Sequence, residues 1–139
     1  MKSKITDAAS GNTQYGYDSQ NRLTSVTDPG GLTTIYSYNG FGDLLQTSSP
    51  DTGTTTYTVD AAGNRLSQTD ARGKVATYTY DALYRRTSAT YADSSLNILY
   101  IHDQTATDNK GLGRLTGILD AGGSTSYRYD ARGLIIREI

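Results

Sequence analysis

An aromatic pair followed by aspartate recurs through this chain at a nearly fixed interval. Tyr17-Asp18 is followed by Tyr38-Asn39, Val59-Asp60 and Tyr80-Asp81, each 21 residues on. His102-Asp103 comes 22 residues later, and Tyr129-Asp130 comes 27 residues after that, following an insertion. Such a period marks a repeat architecture, in which one small supersecondary unit buries its face against the next copy. It divides the chain into a lead-in, residues 1–14, and six units of about 15–34, 35–55, 56–76, 77–98, 99–125 and 126–139.

Each unit opens on two side chains two residues apart: Tyr15/Tyr17, Tyr36/Tyr38, Tyr57/Val59, Tyr78/Tyr80, Tyr100/His102 and Tyr127/Tyr129. Residues i and i+2 of a strand share a face, so the pairs predict an aromatic stripe on one side of a sheet. The residue between them is small or polar in four units (Gly16, Ser37, Thr58, Thr79), with Ile101 and Arg128 as exceptions. The pair is followed by Asp18, Asn39, Asp60, Asp81, Asp103 or Asp130. Three residues further on stands a residue that accepts positive φ (Asn21, Gly42, Gly63, Gly133), with Tyr84 as an exception and Gly111 or Gly113 in the stretched fifth unit. Aspartate can cap free N–H groups while Gly or Asn closes the turn, so each unit predicts a hairpin. The chain returns at Arg22-Leu23, Leu44-Leu45, Arg65-Leu66, Arg85-Arg86 and Arg114-Leu115. A second set of turns follows: Asp28-Pro29-Gly30-Gly31, Pro50-Asp51-Thr52-Gly53, Asp70-Ala71-Arg72-Gly73 and Asp120-Ala121-Gly122-Gly123. Two strands and two turns per unit predict an all-β protein of about twelve strands.

Composition agrees. Apolar residues make up 35% of the chain, Tyr supplies 12 of the aromatics beside one Phe, and Glu138 is the lone glutamate among 14 acidic residues. Asp favours turns where Glu favours helices. The net charge of −1 provides no basic field for nucleic acid. No apolar run reaches the ~20 residues that span a bilayer, and Met1 to Ser10 lack the apolar stretch of a secretory signal. With no cysteine, neither disulfides nor thiolate metal sites form.

The strings YDSQNRLTSVTDPGG, VDAAGNRLSQTDARGK and YDALYRRTS resemble the Rhs, or tyrosine–aspartate (YD), repeat family over about residues 15–139. That resemblance implies antiparallel hairpins added side by side into one long, twisted, curled sheet, part of a shell. Such shells belong to bacterial polymorphic toxins, insecticidal toxin complexes and teneurin-like surface proteins, and in the bacterial cases enclose a toxic domain. It implies a secreted or cell-surface segment with a toxin cargo. The residues themselves show no enzyme site or cofactor motif, and unpaired end strands predict that the partner is more sheet, either further YD repeats or another copy of this chain through the sheet edges. Asp28-Pro29-Gly30-Gly31-Leu32 superficially resembles the family's cleavage motif, but its position in the first unit makes it ordinary turn chemistry. Ile135, Ile136 and Ile139 predict an adhesive final strand.

Other chemistries are weighed against this frame. The tyrosines could stack on sugars, giving a carbohydrate- or cell-surface-binding module; packing as a stripe accounts for their regular placement. Asp103 to Gly111 is the nearest approach to a calcium loop, and its spacing fails the EF-hand pattern. His102 and Asp103 are the nearest approach to a catalytic pair, yet neighbouring strand residues point to opposite faces. Arg22, Arg65, Arg86 and Arg114 are expected to line a polar surface or pair with repeat aspartates.

Overall fold

Alternation of half-buried and exposed positions along the strands sets the architecture. In a computed structural model, which describes residues 2–6, 11–106 and 108–138, the chain divides into two compact units, Met1–Val75 and Ala76–Ile139. In the first unit β1 (Lys2–Thr6), β2 (Asn12–Tyr17), β3 (Leu23–Thr27), β4 (Thr33–Tyr38), β5 (Leu44–Ser49), β6 (Gly53–Val59) and β7 (Arg65–Thr69) pair antiparallel, each with the next. The second unit carries β8 (Val75–Tyr80), β9 (Arg86–Tyr91), a short 3₁₀ turn at Ser94–Leu96, β10 (Ile98–His102), β11 (Leu115–Asp120), β12 (Gly123–Tyr129) and β13 (Ile135–Glu138), again paired consecutively and antiparallel. The fold is all-β and built of hairpins. The lead-in, which the sequence left without an element, contributes β1, paired with β2 from Lys2↔Gly16 to Thr6↔Asn12. Ile139 lies outside the described residues.

Among the described residues neither unit has a second layer over its sheet. Ala89 is the one buried apolar residue among those described, and no large side chain is fully buried. In β6 and β8 the residues Thr55, Tyr57, Val59, Ala76, Tyr78 and Tyr80 are half-buried, while Thr54, Thr56, Thr58, Val75, Thr77 and Thr79 are exposed. The period of two thus separates an aromatic face from a hydroxyl face. Hydroxyls on the latter bond across strands, as in Thr58–Ser67 at 2.7 Å, or Thr79 with both Thr87 and Ser88 at 2.7 Å. Ladder bonds and half-covered side chains replace a core, as expected where each repeat is stabilised by its neighbours.

One turn design recurs at both ends of the hairpins. The Asp18 N–H donates to the Arg22 carbonyl and the Asn21 N–H to the Asp18 carbonyl, closing a three-residue loop whose last residue is left-handed. The same pair of bonds closes Asn39–Asp43, Asp60–Asn64, Asp81–Arg85 and Asp130–Leu134, and also the return turns Asp28–Leu32 and Asp70–Lys74. Two of the four return turns distinguished in the sequence therefore share the design of the first set, while Ser49↔Gly53 and Asp120↔Gly123 close as ladder pairs.

Tyr84 is no exception to the turn: at φ +61° it occupies the left-handed slot that Gly42, Gly63 and Gly133 fill at +97°, +84° and +82°. A side chain there costs about 1–2 kcal/mol. Tyr84→Gly, which removes a largely exposed ring, is expected to raise unfolding stability in urea by about 1 kcal/mol.

A second recurrence is not marked in the sequence. In the hairpin that opens each of the six repeats the register shifts by one residue just before the second aromatic slot: Tyr17↔Leu23, Tyr38↔Leu44, Val59↔Arg65, Tyr80↔Arg86, His102↔Leu115 and Tyr129↔Ile135. Such a bulge strengthens local twist and re-aims the side chain beyond it.

Candidate functional site

The repeated residues converge at the turn end of each hairpin. Tyr15 and Tyr17 on β2, Tyr36 and Tyr38 on β4, Tyr57 on β6, Tyr78 and Tyr80 on β8, Tyr100 on β10, and Tyr127 and Tyr129 on β12 are all half-buried. Beyond each strand the capping side chain takes backbone donors. Asp60 Oδ1 accepts the N–H groups of Ala62 at 2.9 Å and Asn64 at 2.8 Å. Asp18, Asp81 and Asp130 accept the corresponding pairs.

Those donors favour the ionised carboxylate. Asp18, Asp81 and Asp130 are held below the usual carboxylate range chiefly by the N–H four residues on, at Arg22, Arg85 and Leu134. Asp60 is lowered first by the Asn64 side chain.

In the last hairpin Arg132, two positions after the cap, holds the Asp130 carboxylate. In the first four hairpins the residue four positions after the cap is polar and has further tasks. It grips the second carboxylate oxygen: Arg22 Nε–Asp18 Oδ2 at 2.7 Å, Asn64 Nδ2–Asp60 Oδ2 at 2.8 Å, Arg85 Nε–Asp81 Oδ2 at 2.7 Å. The second hairpin inverts the polarity, with Asn39 Nδ2 donating to Asp43 Oδ2 at 2.7 Å. The same residue reaches the next hairpin. Arg22 Nη1 donates to the Asn39 carbonyl at 2.9 Å, and Asp43 Oδ1 sits 2.9 Å from where a side chain on Gly63 would begin. Arg85 binds Asp103 through both Nη atoms, at 2.9 and 2.5 Å. Arg114 lies against Gly133.

The tyrosines work back along the array. Tyr38 donates its hydroxyl to the Leu23 carbonyl at 2.8 Å, and Tyr129 donates to the Leu115 carbonyl at 2.6 Å. Guanidinium groups cover several rings: Arg22 over Tyr38, Arg65 over Tyr57, Arg86 over Tyr78 and Arg114 over Tyr129, at 3.9–5.5 Å from the ring centres. Of the four arginines singled out from sequence, Arg22 pairs with its repeat aspartate, and Arg65, Arg86 and Arg114 stack on rings. The acid partner in the fourth hairpin is Arg85, identifiable only by counting four from each cap.

Asp103 is the most strongly perturbed acid. Arg85, then the Gly113 N–H, lower it to about 2, and Asp103 with Asp81 raises Arg85. Its carboxylate is thereby engaged by Arg85 and Gly113, and Gly113, at φ +77°, takes the turn slot. A carboxylate whose folded pKa is depressed stabilises the fold above its unfolded value and loses that contribution as pH falls. Stability in urea is therefore expected to decline between about pH 4 and pH 2, and Arg85→Met should flatten that decline. An unchanged slope in the variant would remove Asp103 as its source.

The insertion in the fifth hairpin folds into the sheet. Asn109 is buried; its Nδ2 donates to the Tyr127 carbonyl at 3.0 Å and its Oδ1 accepts from the Tyr129 N–H at 2.9 Å. The Lys110 N–H donates to the Tyr129 carbonyl at 3.1 Å. The carboxamide thus stands in for a strand peptide. A groove of about 410 Å³ opens beside it, lined by Ile101, Gln104, Thr116, Gly117, Thr125 and Arg128, among others. Ile101 and Arg128, the two large residues between the aromatic pairs, both line this groove. Among the described residues no cluster of three or more His, Asp or Glu side chains is placed to hold a metal, and no helix is long and apolar enough to cross a membrane.

The model of the RHS Repeat family matches residues 3–33, 17–55, 59–96 and 111–139. Among solved structures, TcdB2-TccC3-TEV superposes with a TM-score of 0.71 at 20% identity, over 91% of this chain and 7% of that one. TcdB2-TccC3 without its hypervariable C-terminal region gives 0.71 at 20% identity, over 97% and 8%. The Tc holotoxin pore of Photorhabdus luminescens with a TccC3 substitution gives 0.70 at 19% identity, over 92% and 7%. The chain thus spans less than a tenth of these proteins, and the likeness is one of fold. No curated protein sequence matches it. Caps and bulges recurring in all six repeats, aromatic pairs in five of them, and family matches over most of its length make this chain a structural repeat segment of the Rhs family.

Proposed function

We propose that this segment is a non-enzymatic stretch of wall in a secreted or surface-associated bacterial Rhs-type protein, enclosing or presenting another polypeptide. The observation that carries the reading is the ladder of inter-hairpin ties. The side chains with recognisable chemistry are spent on the array itself: the capping aspartates close their own turns, while Arg22, Asp43, Arg85, Tyr38 and Tyr129 reach from one hairpin to the next. A sheet without a covering layer is the form a wall takes, since its faces are left for what lies on either side. Kinship with Rhs proteins supports export and a toxin cargo. A glycan-binding face would need open rings, and Tyr38, Tyr57, Tyr78 and Tyr129 each carry a guanidinium on one side.

The test is limited proteolysis of the natural product that carries this segment, with electron microscopy. A hollow particle whose partner polypeptide survives until the wall is cut is expected. A partner digested as fast inside as alone would overturn the reading.

The sheet edge gives a second expectation. Among the described residues β13 pairs with β12 alone, and Ile135 and Ile136 are 56% and 59% exposed. Apolar strand edges recruit further strands. Sedimentation at rising concentration should show masses above the 15.0 kDa monomer, reduced by Ile136→Lys. A monomer at every concentration would contradict it.

A further inference from the structure

Of the six asparagines, only Asn39 is followed by glycine, and only Asn39 replaces the capping aspartate of a hairpin. The absence of a side chain on Gly40 leaves its backbone nitrogen open to attack the carboxamide before it. Gly40 and Phe41 are exposed, and nothing lies within 4 Å of where a side chain on Gly40 would begin. We propose that Asn39–Gly40 is a deamidation site whose product opens the Asn39–Asp43 turn and loosens its contact with the third hairpin.

The reaction needs no co-reactant but water. The Gly40 nitrogen bonds to the Asn39 side-chain carbonyl carbon, the bond to the amide nitrogen breaks, and ammonia leaves with the Gly40 proton. Water then opens the five-membered imide at either carbonyl, giving aspartate or isoaspartate. In the closed turn the carboxamide is held by three bonds: Oδ1 accepts the N–H groups of Phe41 and Asp43, both at 2.9 Å, and Nδ2 donates to Asp43 Oδ2 at 2.7 Å. Cyclisation therefore proceeds through local opening of this exposed turn.

The product cannot close the turn as before. Elsewhere the capping aspartate faces a cation or an amide four residues on, as in Asp18–Arg22 and Asp60–Asn64. Here it would face Asp43, and two carboxylates at hydrogen-bond distance cannot both stay ionised. Asp43 is also the residue that reaches Gly63 of the third hairpin, so its displacement loosens that contact.

Peptide mapping of the full chain after incubation at mildly alkaline pH tests the site. A gain of one mass unit, with isoaspartate, is expected at Asn39 ahead of Asn12, Asn21, Asn64, Asn97 and Asn109, and Gly40→Ala should suppress it with the β circular dichroism retained. Reaction at another asparagine first, or equal reaction in Gly40→Ala, would overturn the site. The consequence is read by Asn39→Asp. Amide exchange at Phe41 and Asp43 should accelerate about tenfold, the equivalent of one pKa unit of like-charge interaction. Asn39→Asp with Asp43→Asn recreates the Asp60–Asn64 arrangement and should restore protection. Exchange at the parent rate in Asn39→Asp alone would overturn the opening of the turn.

Discussion

Gly53→Ala is expected to lower the urea-unfolding stability of the first unit by about 2–5 kcal/mol. Gly53 opens β6 at φ +75°, a conformation that costs an alanine about 1–2 kcal/mol. The added carbon would also start 2.6 Å from the methyl group of Ala71 in the return turn of the next hairpin. Forcing atoms together in this way adds about 1–3 kcal/mol. Gly31→Ala separates the two contributions. Gly31 has φ +87° with nothing within 4 Å of the new carbon, so it should lose only the conformational share. Equal losses at the two sites would mean that the return turns do not touch.

Asn109→Ala should cost about 2–4 kcal/mol in the second unit, because it strips the Tyr127 carbonyl and the Tyr129 N–H of their partner at a buried position. A buried polar group left without a partner costs more than the bond it formed was worth. Lys110→Ala is the control, since that residue joins the sheet through its backbone N–H; its loss should stay within about 0.5 kcal/mol. Amide exchange at Tyr129 should accelerate in the first variant and not in the second.

The contrast between these sites explains what the sequence made legible. Spacing revealed the hairpins because strand alternation and turn closure depend on neighbouring residues. Tyr15 and Tyr17 announce one face, and Asp18 with Asn21 announces a turn. Tyr84 read as an exception because its type resists positive φ, whereas the bonds around Asp81 impose it. Arg85 was hidden beside Arg86: adjacent strand residues diverge, and only the distance from Asp81 distinguishes the ion-pairing arginine from the ring-stacking one. Asn109 left no local mark at all. Its partners lie 18 and 20 residues away, and a carboxamide replacing a strand peptide has no motif. The bulges were equally silent: the same shift follows the three-residue loops and the long loop between Asp103 and Arg114, so loop length does not announce it.

Nuclear Overhauser contacts between opposed strands test the hairpin array most directly. Cross-strand proximity is expected at Gln14↔Thr27, Ile35↔Ser48 and Thr56↔Thr69 in the first unit and at Leu99↔Leu119 in the second, with Tyr38 near Leu23 and Tyr129 near Leu115. Tyrosine rings in contact with one another and with His102 around a shared cavity, with those strand pairs silent, would contradict it.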